Sequence, residues 1–78
     1  MQLKMNLETI ERIDRLIRLK AGNANDLALK LEITERSIYK YIKYMRTELE
    51  APIAFDSSNK TYLYGERGRL DFKWKKEI

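Results

Sequence analysis

The sequence predicts a small, mainly α-helical α+β protein, in which a bundle of three helices precedes a small β-sheet. Two spacings of apolar residues support this fold class. Over the first fifty residues, apolar side chains recur at the three- and four-residue intervals of amphipathic helices. From Ile53 onward they alternate with polar residues, which is typical of half-buried strands. A chain of this length has room for a single domain, over residues 1–78, with one compact core.

The first helix is predicted over about residues 6–20. Asn6 is a suitable N-cap, and Ile10, Ile13 and Ile17 fall on one face of the helix. Acidic residues come early in this segment and basic residues come late, which is the order that the helix dipole favours. We attribute the acidic residues of its first half to that order rather than to a carboxylate site.

Two further helices are predicted, over about residues 25–31 and 34–50, with a tight turn between them. Asn25 and Thr34 are the expected N-caps, because their side chains can accept a hydrogen bond from a free backbone N–H. Pro52 ends the third helix, since the residue before a proline avoids the helical conformation. A short helix, a tight turn and a longer helix form a helix-turn-helix arrangement.

Three strands are predicted after the helices, over about residues 53–55, 61–64 and 69–75. Turn-forming residues at 56–60 favour a β-hairpin of the first two strands. The third strand has two candidate partners: it can pair with the hairpin and complete the core, or pack on a second copy of the chain. We expect the first of these. The apolar residues of the third strand are Leu70, Phe72 and Trp74.

Composition excludes several kinds of chemistry. The chain has no cysteine and no histidine, so it forms no disulfide, and a metal site would depend on carboxylates alone. The commonest thiol nucleophile and the commonest general base are therefore absent. We expect no enzyme, no metal and no cofactor, and no small-molecule ligand is evident. No apolar run approaches the roughly 18 residues of a membrane span and no signal peptide is evident, so we expect a cytoplasmic protein of bacterial type.

Positive charge is concentrated in residues 34–46, where four cations and one glutamate give a net charge of +3, against +4 for the whole chain. Projected onto a helix, Arg36, Lys40 and Lys43 form a stripe opposite the apolar face, which consists of Ile38, Ile42, Met45 and Leu49. Ordinary solvated faces mix charges, because opposite charges four residues apart attract. Arg36 and Lys40 are instead a like-charged pair at this spacing. The stripe is therefore either a plain solvated face or a surface for an acidic partner, and its place in a helix-turn-helix favours the partner.

A resemblance to a known family is carried by the segment DLALKLEITERSIYKYIKYMR followed by APIAFDSSNKTYLY. It has a leucine-alanine pair, a turn, a threonine cap, an Arg-Ser-Ile-Tyr run and a proline-aliphatic hairpin ending in an aromatic residue. Residues 10–64 thus resemble the winged helix-turn-helix domain of DeoR-type and WYL-type transcription regulators and of the biotin-repressor group. The resemblance implies sequence-specific binding of double-stranded DNA in transcription regulation. It places the third helix in the major groove and makes the hairpin a wing.

The candidate DNA-binding residues lie on the third helix and its cap, with one cation on the wing. They are Thr34, Arg36, Ser37, Tyr39, Lys40, Lys43, Tyr44 and Lys60. The family usually has glycine at the position of Glu32. A non-glycine residue in the left-handed conformation costs about 1–2 kcal/mol, so either this turn is built differently or the strain is tolerated.

Two other partner classes are alternatives. An acidic protein surface would fit the same basic stripe, and single-stranded nucleic acid would stack on exposed aromatic residues. We expect Tyr41, Tyr62 and Tyr64 to pack within the protein rather than to contact nucleic acid. Tyr41 borders the apolar face of the third helix, so we expect it to be half-buried with its hydroxyl in water. Helix-turn-helix proteins commonly bind as dimers, so we also expect a homodimer. Its candidate surfaces are Leu7, Leu19 and the third strand.

Overall fold

The computed structural model describes residues 5–71 and 73–77 and shows a small α+β protein. Within these residues, three helices are followed by four short strands in two antiparallel sheets. No described helix has the length and apolar character needed to cross a membrane. The elements are α1 (Leu7–Arg18), α2 (Ala24–Leu31), α3 (Glu35–Thr47), β1 (Ile53–Asp56), β2 (Thr61–Tyr64), β3 (Gly68–Asp71) and β4 (Lys73–Lys76).

Side-chain caps determine where the first two helices begin. Asn6 caps α1 as expected, since its side chain accepts a backbone N–H from the first turn. The predicted cap of α2, Asn25, is wrong: the cap is Asn23, two residues earlier. Asn23 and Asp26 each accept the other's backbone N–H, at 3.0 and 2.9 Å. This reciprocal pair satisfies two free N–H groups, whereas a cap at Asn25 would place Ala28, which has no acceptor, at the reciprocal position.

Helices α1 and α3 each end two or three residues before the predicted boundary. The last residue of α1 is Arg18 rather than Lys20, and that of α3 is Thr47 rather than a residue near Glu50. Lys20 and Glu50 both have left-handed backbone conformations, with φ of 53° and 58°. A left-handed residue cannot continue a right-handed helix, so each one fixes the direction of the following connection.

The core lies where the three helices meet, and the β1–β2 hairpin covers one side of it. The largest side chains of this core lie on the inner faces of their helices, where the periodicity of the sequence predicted apolar residues. Each buried side chain of this size stabilises the fold by about 1.5–3 kcal/mol. The largest fully buried side chains are Ile13, Ile17, Leu27, Ile38 and Met45.

Tyr41 is more deeply buried than its place at the edge of the apolar face of α3 predicted. It is 6% exposed, and its hydroxyl accepts the backbone N–H of Asn6 at 3.2 Å. That hydroxyl, expected to face water, instead joins the middle of α3 to the start of α1. Tyr62 and Tyr64 also pack against the helices as expected: Tyr62 is buried, and the Tyr64 hydroxyl donates a hydrogen bond to Asp14 of α1. Burial raises the pKa of both hydroxyls.

Strands β1 and β2 form the predicted hairpin, with four residue pairs in antiparallel register. The hairpin is attached to the connection between α1 and α2. The Gly22 N–H donates to the Thr61 hydroxyl, and the Tyr62 N–H donates to the Gly22 carbonyl, both at 2.9 Å. Gly22 has φ of 128°, and a Cβ there would overlap the Asp26 side chain. This position therefore requires glycine.

The prediction of a single third strand over residues 69–75 is wrong. Strands β3 and β4 form a second hairpin, and they pair with each other rather than with β1–β2. Phe72 lies between them and outside the described residues. The expected pairing with the first hairpin is therefore wrong. The segment nevertheless packs within its own chain, because the Trp74 N–H donates to the Leu49 carbonyl at 2.6 Å and Leu70 and Trp74 pack against the core. Two short strands alternate apolar and polar residues as one long strand does, so the sequence pattern does not distinguish them.

Candidate functional site

The outer face of α3 carries the basic stripe, defined as Arg36, Lys40 and Lys43. All three side chains are exposed, and they lie opposite the buried Ile38 and Ile42. Among the residues that the structure describes, none of the three cations forms an ion pair. The structure therefore places these three predicted site residues together on one uncompensated face of the helix.

Helix α1 shows the more usual arrangement of charges on an exposed surface. It pairs Arg12 with Glu8 at 2.9 Å and Arg18 with Asp14 at 3.1 Å, each across four residues. On α3, the residue four places before Lys40 is another cation. Exposed ion pairs contribute only about 0.2–1 kcal/mol, so their absence from α3 has little effect on folding. It leaves the positive charge of α3 available to an anion.

The side chains at the start of α3 cap the helix. The Thr34 hydroxyl oxygen accepts the Ser37 N–H at 3.0 Å, and the Thr34 hydroxyl donates to the Ser37 hydroxyl oxygen at 2.9 Å. Thr34 is thus the predicted N-cap, and its side chain is already hydrogen-bonded. Ser37 keeps its own hydroxyl proton to donate. The other free N–H groups of the first turn can serve an anion, as helix N-termini commonly do.

Tyr39 lies at the edge of the stripe and is 53% exposed. Its hydroxyl donates to Glu35 Oε1 at 3.1 Å, one turn earlier on α3. This hydrogen bond and the nearby negative charge raise the pKa of the Tyr39 hydroxyl. Glu35, the first acidic residue of α3, is therefore hydrogen-bonded to Tyr39 and not to a cation of the basic stripe. No acid of α3 pairs with the basic stripe in the described structure.

Two other residues of the predicted site, Tyr44 and Lys60, have different surroundings, and so does Arg46, a cation of α3 that was not among the predicted site residues. Tyr44 is half-buried and lines a cleft of about 400 Å³ with Leu49 and Leu70, between α3, α1 and the second hairpin. Arg46, which contributes to the charge of residues 34–46, donates from Nε to the Ile53 carbonyl at 3.0 Å and so joins α3 to β1. Lys60 is exposed at the tip of the first hairpin, on a separate element.

The tip of the first hairpin is organised by an acid. The Asp56 carboxylate accepts the Asn59 side-chain amide at 2.7 Å, and it also accepts the backbone N–H groups of Ser58 and Asn59 at 2.9 and 3.3 Å. These hydrogen bonds, that from the Asn59 amide above all, lower the pKa of the Asp56 carboxyl. With Lys60 as the adjacent cation, the tip carries one charge of each sign.

An aromatic cleft beside the start of α3 was not predicted from the sequence. It has a volume of about 370 Å³ and lies between α3, the start of α2 and the first hairpin, lined in part by Tyr39, Phe55 and Tyr62. Phe55 is 46% exposed and packs edge-on against Tyr62, with ring centroids 5.2 Å apart. Phe55 lies on the same strand face as the buried Ile53 but nearer the hairpin tip. The alternation of β1 predicts this face, though not that the helices leave Phe55 uncovered.

Among the described residues, no group of three or more acidic side chains is arranged to hold a metal ion. No protein-family model, curated protein or solved structure matches the chain. The class of this protein is therefore stated from its structure alone. Over the residues that the structure describes, it is a small α+β protein with three helices and two small antiparallel sheets, and its third helix exposes a basic face that forms no ion pair.

Proposed function

We propose that the chain is a winged helix-turn-helix protein that binds double-stranded DNA, with α3 in the major groove and the β1–β2 hairpin as a wing. The observation that carries this proposal is the basic stripe, whose three exposed cations have no ion-pair partner among the described residues. Regulation of transcription is the role we propose for this binding. An α-helix has the width that the major groove of B-DNA admits.

The turn between α2 and α3 supports the helix-turn-helix assignment. Glu32 ends α2 in the left-handed conformation, with φ of 57° and ψ of 40°. The next N–H, of Ile33, donates to the Ala28 carbonyl at 3.1 Å, and Thr34 then caps α3. This is the backbone geometry for which the resembled family uses glycine. The chain therefore tolerates left-handed strain of about 1–2 kcal/mol at Glu32.

The residue types of the stripe fit the chemistry of duplex DNA. Arg36 and Lys40 lie in the first half of α3, where helix-turn-helix proteins contact base edges, and both can donate to guanine O6 and N7. Lys43 is one turn further along and suits a backbone phosphate. Ser37 and Tyr39 offer hydroxyls to base edges or phosphates. Thr34, Tyr44 and Lys60 are assigned to contacts with the DNA backbone.

A second candidate function is binding of an acidic protein surface by the same face. The aromatic cleft favours it, because Tyr39 of α3 and Phe55 are half-exposed there, and aromatic residues are enriched in protein interfaces. The two candidates differ in their response to base sequence. A protein-binding module has no preference among duplexes, whereas a DNA-reading helix discriminates a wrong base pair by about 1–3 kcal/mol.

Selection of duplexes from a random pool tests the proposed function and identifies its site. We expect a short consensus to be enriched, and the protein to bind it more tightly than a shuffled duplex of the same length. The same consensus offered as single strands serves as the control for single-stranded or RNA-type recognition. No enrichment over several rounds at low salt would contradict sequence-specific duplex binding.

The recovered sites also test the proposed homodimer. Two copies on half-sites give a palindromic consensus with a spacing of about one helical turn. Leu70 and Trp74 pack against the chain's own core, so the exposed dimer surfaces proposed from sequence are now Leu7 and Leu19, 71% and 69% exposed. Light scattering of the free protein and of its complex would show a doubled mass. A monomer on a non-repeated site would contradict the dimer and leave DNA binding standing.

A further inference from the structure

The β3–β4 hairpin presents a second basic face. Its register places Arg69 opposite Lys75 and Asp71 opposite Lys73, and directly opposed residues of an antiparallel pair project from the same face. That face therefore carries three cations and one acid, all of them exposed. The hairpin's other face includes Trp74, which is half-buried against the core.

The charges on this face do not stabilise the hairpin that carries them. Like charges directly across an antiparallel pair are destabilising, and Arg69 and Lys75 are such a pair. Within the described residues, neither forms an ion pair, and neither does Lys73, although Asp71 lies opposite it. An anion bound between these cations would remove the repulsion and add attraction.

Contacts of Trp74 hold the hairpin in a fixed orientation on the body of the protein. Its backbone N–H donates to the Leu49 carbonyl, and its indole N–H donates to Glu66 at 3.0 Å. Its ring lies 4.4 Å from that of Tyr64, and the Arg18 guanidinium lies within 6 Å of both ring centroids. The basic face is thus on a rigid support, which lowers the entropy that binding would otherwise cost.

The hairpin also lies beside α3. Leu49 lies two residues after Thr47, the last residue of α3, and its carbonyl accepts the hydrogen bond from Trp74. Leu70 and Asp71 line the same cleft as Tyr44, which borders the basic stripe. A duplex bound along α3 would therefore continue toward the second hairpin.

The first hairpin is a poorer candidate for gripping phosphates. Its tip has one cation, Lys60, next to the hydrogen-bonded Asp56, whose charged form is favoured by its lowered pKa. The second hairpin carries three cations against one acid on a single face. The phosphate contacts expected of a wing are therefore better supported by the second hairpin.

We infer that the outer face of β3–β4, formed by Arg69, Lys73 and Lys75, binds backbone phosphates of the same DNA duplex whose major groove receives α3. This inference rests on the proposed function. The contacts are with phosphates and not with bases, so they strengthen binding to every sequence by a similar factor. They also increase the dependence of affinity on salt, because each neutralised phosphate releases a bound counterion.

The test compares two triple variants with the same change in charge. One is Arg69→Gln/Lys73→Gln/Lys75→Gln in the hairpin. The matched control replaces Arg12, Arg15 and Lys30 with Gln; these three cations lie together at the α1–α2 cleft. Duplex affinity is measured for both and for the wild type over a series of salt concentrations.

We expect the hairpin variant to lower the slope of log affinity against log salt by about 2–3, at about 0.9 for each phosphate contact. Its affinity at physiological salt should fall at least about tenfold, with an unchanged consensus, while the control variant changes the slope by less than about 1. A hairpin variant whose slope matches that of the control would overturn the inference. If the α3 variants then still lose binding, the proposed function stands without it. Absence of any duplex binding by the wild type would overturn both.

A second variant distinguishes loss of phosphate contacts from loss of the folded hairpin. Lys75→Glu places an acid opposite Arg69, so the hairpin should be at least as stable as in the wild type, with an unchanged or raised melting temperature. It should nevertheless weaken duplex binding more than Lys60→Glu on the first hairpin. Equal or greater loss from Lys60→Glu would show that the first hairpin makes the phosphate contacts, and would overturn the inference.

Discussion

The two faces of α3 are formed by the same thirteen residues and have opposite physical roles. On the inner face, Ile38 and Met45 are fully buried and Ile42 is 2% exposed, so each has neighbours on all sides. On the outer face, Arg36 and Lys40 are exposed and have no ion-pair partner among the described residues. Folding therefore depends on one face only. These two cations form no ion pair in the described structure that folding would need, and we propose that they serve binding.

The largest expected effect is on the inner face. Ile38→Ala and Ile42→Ala should each lower the free energy of unfolding by about 2–5 kcal/mol, because each removes three buried carbons and leaves a cavity. A domain this small is stable by about 5–15 kcal/mol in total, so either variant approaches the limit of folding. Urea denaturation measures the loss, with Lys43→Ala, expected within about 0.5 kcal/mol of wild type, as control. Unchanged curves for both isoleucine variants would mean that α3 faces the other way.

The next effect separates residues along the outer face. Arg36→Ala should weaken binding to the selected duplex by about 1–3 kcal/mol and relax the preference at one base pair. Lys43→Ala should weaken binding to all duplexes alike and lower the salt slope by about 1. Titrations with the consensus and with single-base variants measure both. If the two substitutions gave the same pattern, the division of α3 into base-contacting and phosphate-contacting halves would be wrong.

A smaller effect is expected at the turn before α3. Glu32→Gly should raise the free energy of unfolding by about 0.5–1 kcal/mol. The substitution removes the strain of the left-handed conformation, and this gain is larger than the entropic cost of ordering a glycine, which is more flexible in the unfolded chain. Glu32→Gln is the matched control, because it removes the charge and retains the strain. Thermal unfolding of the three proteins distinguishes these causes. Equal stabilisation by both variants would attribute the effect to charge rather than to backbone conformation.

The smallest effect concerns Asp56, an exposed residue outside α3 that has a structural role. Because its folded pKa lies below the ordinary value of 3.8, its hydrogen bonds stabilise the fold fully above that value. The contribution is lost as pH falls through the lower, folded pKa. Asp56→Ala should therefore lower the melting temperature slightly at pH 7, and the difference should shrink by pH 2. A difference that grows as pH falls would contradict the sign of this shift.

Much of the fold followed from local patterns in the sequence. The period of the apolar residues identified three helices and the first hairpin, and projection of α3 gave its buried and exposed faces. These predictions succeeded because burial on a regular helix repeats with the helix itself. The cap of α2 was misplaced by two residues, since Asn23 and Asn25 are both good caps and only the reciprocal partner at Asp26 distinguishes them.

Tertiary contacts account for what the sequence did not predict. Arg46 has the same spacing and charge as a surface cation, yet it bonds to Ile53 across a connection whose path no local pattern determines. The second hairpin was predicted as one strand, because apolar and polar residues alternate in two short strands as they do in one long strand. The aromatic cleft requires α2, α3 and β1 to meet. Of the candidate site, the exposed stripe was predictable and the burial of Tyr44 beside Leu70 was not.

The most direct test of the central claim, that the outer face of α3 binds duplex DNA, is the affinity of Arg36→Ala/Lys40→Ala for the duplex selected by the wild type. Fluorescence anisotropy at two salt concentrations measures it, with the melting temperature of each protein recorded in the same buffer. We predict that the double variant melts within a few degrees of wild type and binds about 10- to 1,000-fold more weakly, with a shallower salt dependence. A double variant that binds the duplex as tightly as the wild type at both salt concentrations would contradict the claim.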